Sequence, residues 1–253
     1  MTIPLLEPRW SAPSAVRAAF SLRSGGISTA PWDTLNLGVH VGDEAAAVAE
    51  NRRRLAHALA LPAEPVWLEQ VHGTTVLSLE PGSTPASGVR PRADAVVTRA
   101  AGVVLAIQVA DCLPVLFASD DGRVLGAAHA GWRGLAAGVL EATLAAMAVP
   151  AGAVVAWLGP CIGPAHFEVG EEVRAAFMAT TMPATAQQVS AAFTPNPRGR
   201  WQCDLVQLAR QRLTALGVAR VDGGEWCTAA DPVRFFSHRR DRQSGRMAAL
   251  LWC

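Results

Sequence analysis

Two histidines and one cysteine stand at the ends of apolar segments, where polar side chains of α/β proteins usually face a ligand. His72 follows the short predicted strand Val66–Leu68, Cys112 lies in a turn between two apolar runs, and His129 stands where another run meets a helix pattern. Two imidazoles and a thiolate suit zinc, with a fourth position left open for water or substrate. A metal site on these residues is therefore one interpretation.

Two other interpretations of these residues stay open. A cysteine in an apolar run is usually an inert buried residue, and the long separations match no short zinc signature. Cys112 is also a candidate nucleophile, activated by His72 or His129. Because one thiolate cannot bind a metal and attack a substrate at the same moment, these are separate hypotheses.

Arginines are the candidates for binding a phosphate group, because the guanidinium fork binds phosphate in a bidentate way. One of them stands at the start of a predicted helix, where anions are favoured. The candidates are Arg133, Arg239, Arg240 and Arg246, with Arg52 as a weaker one. The same residues are also consistent with a solvated face or with structural ion pairs.

Further polar residues are expected to shape this site. Asn36 is a candidate substrate-binding residue in a loop expected to face it, and His40 in the same loop is close enough to reach substrate, although a structural role is favoured. Asp111 either orients a ligand histidine or caps its turn, with the cap favoured. Cys161, between two Gly-Pro steps, is interpreted as a small buried residue.

Composition excludes several classes of protein. The chain has 253 residues, of which 51% are apolar and 17% charged, so it can bury a core and is not disordered. The net charge of +1 argues against a generic nucleic-acid-binding surface. All 22 basic residues are arginine, which excludes Schiff-base catalysis by lysine. The five cysteines contain no C-x-x-C pair and do not indicate a disulfide framework.

The chain is expected to be a soluble cytoplasmic protein that binds no membrane. Its N-terminus lacks the basic and apolar regions of a signal peptide. The apolar stretch Ala100–Ser119 carries Asp111 near its middle, and a central aspartate costs about 2.5–3.5 kcal/mol on membrane insertion. Two buried strands joined by a polar turn explain this stretch better.

The periodicity predicts one mixed α/β domain over residues 1–253, with a central mixed sheet flanked by helices. Strands are predicted at Ala93–Thr98, Val103–Val109, Leu113–Phe117, Val124–Ala128, Val154–Leu158 and Met247–Trp252. Helices are predicted from an N-cap at Asp43 to about Ala60, and at Leu135–Met147, Glu171–Phe177 and Asp204–Leu216. Pro81–Pro91 and Thr194–Arg200 are predicted to be surface loops.

The longer motifs resemble those of the YfiH family of laccase-domain proteins, in the same order and over nearly the whole chain. They are RSGGIS (Arg23–Ser28), LNLGVHVGDE (Leu35–Glu44), NRRRL (Asn51–Leu55), WLEQVHG (Trp67–Gly73), ADAVVT (Ala93–Thr98), ADCLPVLF (Ala110–Phe117), HAGWRG (His129–Gly134), LGPCIGPAHFEVG (Leu158–Gly170) and FFSHRRDRQSGRMAALLW (Phe235–Trp252). One departure is His238, where the family usually has tyrosine.

The resemblance implies a single α/β domain with a distant likeness to the catalytic domain of cytotoxic necrotizing factor. It implies zinc bound by the catalytic positions His72, Cys112 and His129. It also implies phosphorolysis of adenosine, inosine, guanosine and methylthioadenosine, together with deamination of adenosine. The expected small-molecule partners are therefore a purine nucleoside and phosphate, and no protein partner is evident.

Other descriptions of the family lead to competing hypotheses. As a peptidoglycan-editing enzyme, the protein would be a cysteine amidase acting on a serine-containing cell-wall precursor. As a polyphenol oxidase it would bind copper, but a four-copper site needs about ten histidines and the chain has six. Copper bound adventitiously by His72, Cys112 and His129, with weak oxidase activity, is expected only as a side property of the protein. The last hypothesis is a metal-stabilised binding module without turnover.

Overall fold

A computed structural model describes residues 3–82, 88–180 and 186–253 of the chain. The strands are β1 (Leu5–Leu6), β2 (Arg17–Ser21), β3 (Val76–Leu79), β4 (Ala95–Thr98), β5 (Leu105–Val109), β6 (Leu113–Ser119), β7 (Leu125–Ala130), β8 (Val154–Leu158), β9 (Glu168–Val169), β10 (Phe193–Pro195), β11 (Trp201–Cys203), β12 (Arg220–Gly223) and β13 (Met247–Trp252). The helices are α1 (Ala45–Ala58), α2 (Trp132–Ala137), α3 (Val139–Met147), α4 (Glu171–Ala179), α5 (Ala186–Ser190), α6 (Leu205–Ala215) and α7 (His238–Asp241).

Two sheets pack face to face and enclose one part of the core. A six-stranded mixed sheet has the order β12-β8-β6-β7-β4-β3, and a four-stranded antiparallel sheet has the order β1-β2-β13-β5. Phe20 and Ile107 of the smaller sheet belong to the same apolar cluster as Leu116 and Trp157 of the larger one. The small third sheet has the order β10-β11-β9.

Helices cover the outer face of each large sheet. Leu140 of α3 and Leu208 of α6 pack with Val115 and Phe117 of the six-stranded sheet. Leu55 of α1 packs with the outer face of the four-stranded sheet. Since β5, β6 and β13 are buried on both faces, their sequences are almost entirely apolar, as expected for strands inside such a layered arrangement. The polar exceptions are Gln108 in β5 and Ser119 at the end of β6.

The predicted mixed α/β class is confirmed, and the second sheet is an addition to it. The apolar stretch Ala100–Ser119 forms β5 and β6 with a polar turn between them, as predicted. No helix within the described ranges has the length and hydrophobicity needed to cross a bilayer. Val66–Leu68 forms no strand, and Val66 makes only an isolated bridge to Leu105.

Two helix predictions need correction. The predicted helix Leu135–Met147 is divided into α2 and α3 at Gly138, whose φ of +100° interrupts the helical backbone. The N-cap of α1 is Glu44 and not Asp43. The Asp43 carboxylate instead accepts hydrogen bonds from the Ser28 hydroxyl at 2.6 Å and from the Glu44 N–H at 2.8 Å.

Other boundaries agree closely with the sequence. Strands β8 and β13 have the predicted bounds. Asp204 caps α6 by accepting a hydrogen bond from the Gln207 N–H at 2.9 Å, and Gly217 after the helix has a φ of +92°. The predicted surface loop Thr194–Arg200 is shorter than expected, because Thr194 and Pro195 belong to β10 and only residues 196–200 connect β10 to β11. Residues 83–87 of the Pro81–Pro91 segment lie outside the described residues.

Candidate metal centre

Pairing of β6 and β7 brings Cys112 and His129 together at one end of the larger sheet. Leu113 is the register partner of Ala130, so the residue before β6 lies beside the end of β7. His72 completes the group, and the ligand atoms of these three side chains all lie within 4.8 Å of one another. The Nε2 atom of His72 is 3.7 Å from Cys112 Sγ. The three candidate ligands therefore form one cluster.

Asp94, immediately before β4, positions both histidines. Its fully buried carboxylate accepts hydrogen bonds from the N–H groups of Val71, His72 and Gly73, the last at 2.6 Å. It also lies 2.9 Å from His129 Nδ1, which leaves Nε2 of that ring available for a ligand. The same contacts hold His72 at a φ of +63°, which is uncommon outside glycine.

Asp94 is a site residue that the sequence reasoning missed. The available signal was an acidic side chain in the otherwise apolar motif ADAVVT. A buried carboxylate needs partners, but the sequence does not show that a loop and a histidine of another strand provide them.

A glycine allows the cluster to pack this closely. A Cβ atom at Gly131 would lie 2.8 Å from His72 Cδ2 and 3.0 Å from Cys112 Sγ. A Cβ at Gly134 would lie 2.9 Å from the Gly73 carbonyl oxygen. Because the two glycines of the motif HAGWRG have no side chains, the His72 ring and the backbone beside it can pack against them.

In this cluster the surroundings favour a negatively charged Cys112 and a positively charged, buried His129. Burial alone would raise the pKa of Cys112, but the neighbouring His129 and His72 lower it to about 6. Burial would lower the pKa of His129, but the Cys112 thiolate and Asp94 raise it to about 9. Burial likewise opposes ionisation of Asp94, whose pKa is nevertheless lowered by its bonds from His129 and Gly73. A thiolate–imidazolium pair at neutral pH follows.

These residues fit a metal ion by donor type and by spacing. Two imidazole nitrogens and one thiolate match catalytic zinc sites, and Asp94 gives His129 the carboxylate partner that zinc-bound histidines commonly have. Zinc bonds of roughly 2.3 and 2.05 Å at a tetrahedral angle put sulfur and nitrogen about 3.6 Å apart. The observed separation of 3.7 Å is close to that value.

Asn36 fixes a loop and has no capacity left for a substrate. It is fully buried, and its Oδ1 accepts from the N–H groups of Gly38 and Arg246 at 2.9 and 2.8 Å. Its Nδ2 donates to the Gly38 carbonyl and to Asp43 Oδ2. An amide offers two donors and two acceptor sites, so the predicted substrate-binding role of Asn36 is wrong.

Asp111 connects the Cys112 turn to the C-terminal part of the chain. It has a φ of +90°, and its carboxylate accepts from the Thr228 hydroxyl and from the Arg239 N–H, both at 2.6 Å. Its carbonyl oxygen accepts from the Ile162 N–H at 2.9 Å. Neither predicted role, orienting a histidine or capping its own turn, describes these contacts.

Arg133 and Arg239 are both exposed at the surface. The Arg133 guanidinium lies over the Trp132 ring, 4.3 Å from its centroid. Arg239 donates from Nη1 to the Glu168 carbonyl at 2.9 Å, and its guanidinium is 5.1 Å from the centre of the Phe167 ring. Both therefore present a charged group to solvent.

Arg240 is a structural residue. Its Nη1 donates to the carbonyls of Thr228 and Ala229, and its Nη2 donates to the Phe235 carbonyl and to Asp241. Nε also donates to the Asp241 carboxylate, at 2.8 Å. All five N–H donors of this guanidinium have protein acceptors, so none is left for the predicted phosphate contact.

Comparison with known proteins identifies the family. The family model described as multi-copper polyphenol oxidoreductase laccase matches residues 17–253. The chain belongs to this laccase family. Relatives include "Purine nucleoside phosphorylase PA4543" of Pseudomonas aeruginosa, 51% identical over 98% of this chain and 97% of the relative. "Purine nucleoside phosphorylase YfiH" of Escherichia coli is 50% identical over 98% of both chains.

Solved structures agree with this assignment. Neisseria meningitidis protein NMB0706 superposes with a TM-score of 0.89, at 44% identity over 98% of both chains. YlmD from Geobacillus stearothermophilus superposes with a TM-score of 0.86, at 32% identity over 100% of this chain and 99% of that chain. The resemblance to the YfiH family is therefore confirmed.

The histidine count of this laccase-family chain excludes a four-copper site. Its six histidines cannot supply the two or three imidazoles that each of four coppers needs. His238 is exposed at the start of α7.

Proposed function

We propose that this protein is a metal-dependent purine nucleoside phosphorylase that holds zinc on His72, Cys112 and His129. The observation that carries the proposal is near-full-length identity of about half to relatives named as purine nucleoside phosphorylases. The metal-type cluster of two imidazoles and a thiolate supports it. Adenosine, inosine, guanosine and methylthioadenosine are the proposed nucleosides.

Phosphorolysis needs a phosphate anion beside the ribose. A phosphate oxygen forms a bond to C1′ while the bond from C1′ to the purine nitrogen breaks, and the purine leaves with that electron pair and gains a proton. Arg246 is a proposed phosphate contact because, among the described residues, the hydrogen bonds of its guanidinium all come from Nη1, which leaves Nη2 to donate to an anion. Arg133 and Arg239 are the proposed additional contacts, since both are exposed.

Deamination of adenosine is proposed as a second activity of the same centre. A bound zinc ion would supply Lewis acidity and an activated water, which attack at C6 of adenine requires. Asp94 holds His129 by Nδ1 and the backbone of His72, so both imidazoles are fixed before any ligand binds. A catalytic metal site needs ligand side chains that neighbouring residues hold in place, and Asp94 does this for both imidazoles.

A cysteine amidase acting on a serine-containing cell-wall precursor is the second candidate. The favouring observation is the order Cys112, His129, Asp94, which is that of a nucleophile, a base and an orienting acid. The Cys112 thiolate would attack the amide carbon, His129 would give its proton to the leaving amine, and water would hydrolyse the thioester. This candidate predicts inactivation by alkylation and indifference to chelators.

Chromatography of adenosine incubated with metal-analysed protein tests both proposals, in phosphate buffer and without phosphate. Adenine that forms only with phosphate supports phosphorolysis, and inosine in both buffers supports deamination. The Cys112→Ala variant should lose both products. Absence of turnover by zinc-loaded wild-type protein would contradict the nucleoside assignment, and hydrolysis of a serine amide would then favour the amidase.

A further inference from the structure

The turn that carries Cys112 has an unfavourable backbone conformation. Asp111, immediately before Cys112, has a φ of +90°, which side chains other than glycine rarely adopt. A residue keeps such a conformation only where the surrounding structure fixes it. Because Cys112 is the next residue in the chain, the contacts that fix Asp111 also decide where the Cys112 thiol points.

Three hydrogen bonds from distant parts of the chain fix Asp111. Its carbonyl oxygen accepts from the Ile162 N–H at 2.9 Å, and its Oδ2 accepts from the Arg239 N–H at 2.6 Å. The third donor is the hydroxyl of Thr228, which lies 2.6 Å from Oδ1. Among the described residues, Thr228 is thus the one that donates to Asp111 from its side chain.

Thr228 is itself held in place at both ends of its backbone. Its N–H donates to the Cys161 carbonyl at 2.9 Å, and its carbonyl oxygen accepts from Arg240 Nη1 at 3.0 Å. The side chain is fully buried, and a buried hydroxyl needs a protein partner. These contacts fix the hydroxyl beside Asp111, so that Thr228 can hold the turn and does not merely follow it.

The thiol that this turn carries is closely surrounded. His72 Nε2 lies 3.7 Å from Cys112 Sγ, and a Cβ at Gly131 would lie 3.0 Å from the same sulfur. Metal ligands and catalytic nucleophiles must be held within about 0.5 Å of their productive positions. Because Cys112 directly follows Asp111, relaxation of φ at Asp111 to negative values would move the sulfur by more than this tolerance.

We propose that Thr228 is a positioning residue, which through Asp111 sets the Cys112 thiol against His72 and His129. This role rests on the proposed function of the centre, in which Cys112 is either a metal ligand or a nucleophile, and it applies to both candidates. The Thr228 hydroxyl takes no part in the chemistry and only holds the Asp111 carboxylate. Arg240 contributes from further away, since its guanidinium holds the Thr228 carbonyl.

The zinc affinity of the full-length protein, measured by competition with a chelator of known affinity, tests this role. Thr228→Val keeps the shape of the side chain but removes the hydroxyl, and should weaken zinc binding about tenfold, as for loss of a supporting contact around a metal site. Thr228→Ser keeps the hydroxyl and should stay within twofold of wild type. Thr143→Val is the matched control and should also stay within twofold, because Thr143 is equally buried and donates at 2.6 Å, but to the Val139 carbonyl in α3.

Two further measurements distinguish positioning of the thiol from a general loss of stability. In cobalt-substituted protein the charge-transfer absorption from the Cys112 thiolate to the metal should weaken in Thr228→Val and stay unchanged in Thr143→Val, although both variants lose a buried hydrogen bond. In the background of Asp111→Ala, Thr228→Val should cause no further loss of zinc affinity, because its effect passes through Asp111. A further tenfold loss there would contradict the proposed route.

Failure of this role is distinguishable from failure of the proposed function, since none of these measurements needs nucleoside turnover. If the wild type and Thr228→Val bind zinc equally well, the positioning role is wrong and the metal centre stands. If the wild type binds no zinc, the metal centre is wrong, and the rate at which iodoacetamide alkylates Cys112 decides the role of Thr228. A rate at least threefold lower in Thr228→Val than in Thr143→Val would support it, because a displaced thiol loses the imidazoles that activate it, and equal rates would overturn it.

Discussion

Cys112 and Cys161 lie at the same end of the six-stranded sheet but in opposite chemical environments. Cys112 directly precedes β6 and Cys161 follows β8, and these neighbouring strands pair through Val115 and Leu158. The pKa of Cys112 falls to about 6 beside two imidazoles. Burial first, and then the charge of Asp204, raise that of Cys161 well above its ordinary value.

This comparison shows that position at a strand end does not make a cysteine reactive. Cys161 is almost fully buried, and its thiol donates to the Ile162 carbonyl at 3.6 Å. Cys112 is half-buried and faces His72 at 3.7 Å. The side chains that converge on a thiol decide whether it is a metal ligand, a nucleophile or an inert apolar group.

The largest expected difference between the two cysteines is in metal content. Cys112→Ala should lose bound zinc and nearly all nucleoside turnover, because only two imidazoles remain to hold the ion. Cys161→Ala should keep both and lose about 1 kcal/mol of unfolding free energy through a small cavity. Elemental analysis and thermal unfolding of the purified variants measure this. Equal zinc content in the two variants would contradict the assigned ligand set. Copper in place of zinc would change the identity of the metal but not the ligand set.

The second difference is in the pH dependence of alkylation of the metal-free protein. A thiol reacts as thiolate, so the rate at Cys112 should rise with pH through about 6 and be level by pH 7 to 8, with loss of reactivity below that inflection. Cys161 should react on the order of 100-fold more slowly at pH 7, because its pKa is raised and its thiol is buried. Peptide mass spectrometry after timed iodoacetamide treatment distinguishes the two sites. An inflection near 8.5 at Cys112 would show that the histidines do not stabilise its thiolate.

The sequence predicted the three candidate ligands, which the structure brings into one cluster, but not the residue that holds them in place. Cys112 and His129 were visible because polar residues interrupt apolar runs at strand ends, and His72 because it follows the apolar run Val66–Leu68, although that run forms no strand. The role of Asp94 depends on the pairing of Ala95 with Ala128, which places the residue before β4 beside His129. Such a contact is a consequence of strand register, which no local pattern encodes.

Similar reasons explain the errors elsewhere. The interruption at Gly138 was missed because an isolated glycine inside a helical pattern is often tolerated. Asn36 was assigned to substrate because a polar residue in a loop looks available, whereas its amide is consumed by Gly38, Asp43 and Arg246. The second sheet was missed because short strands such as β1, Leu5–Leu6, carry almost no periodic signal.

Removal of the charge on Asp94 should weaken the site that makes Cys112 different. Asp94→Asn is expected to lower metal affinity by about 10- to 100-fold, since a neutral amide is a poorer partner for a ligand histidine. The Ser28→Ala variant, which also removes a buried polar group from a hydrogen-bond network but lies elsewhere, should change metal affinity less than twofold. Competition with a zinc chelator of known affinity gives both values. An unchanged affinity in Asp94→Asn would mean that the loop geometry alone orients His72 and His129.

The smallest expected effect comes from a single methyl group at Gly131. In Gly131→Ala the added Cβ would meet His72 Cδ2 at 2.8 Å and Cys112 Sγ at 3.0 Å, closer than packed atoms normally approach. Either ring or thiol must shift by a few tenths of an ångström, and metal affinity should fall about tenfold because metal sites tolerate little displacement. Gly152→Ala is the matched control, since a Cβ there meets nothing within 4 Å. If both variants bind zinc like the wild type, the close packing around Gly131 does not constrain the ligands, and the distinctive state of Cys112 then rests on electrostatics alone.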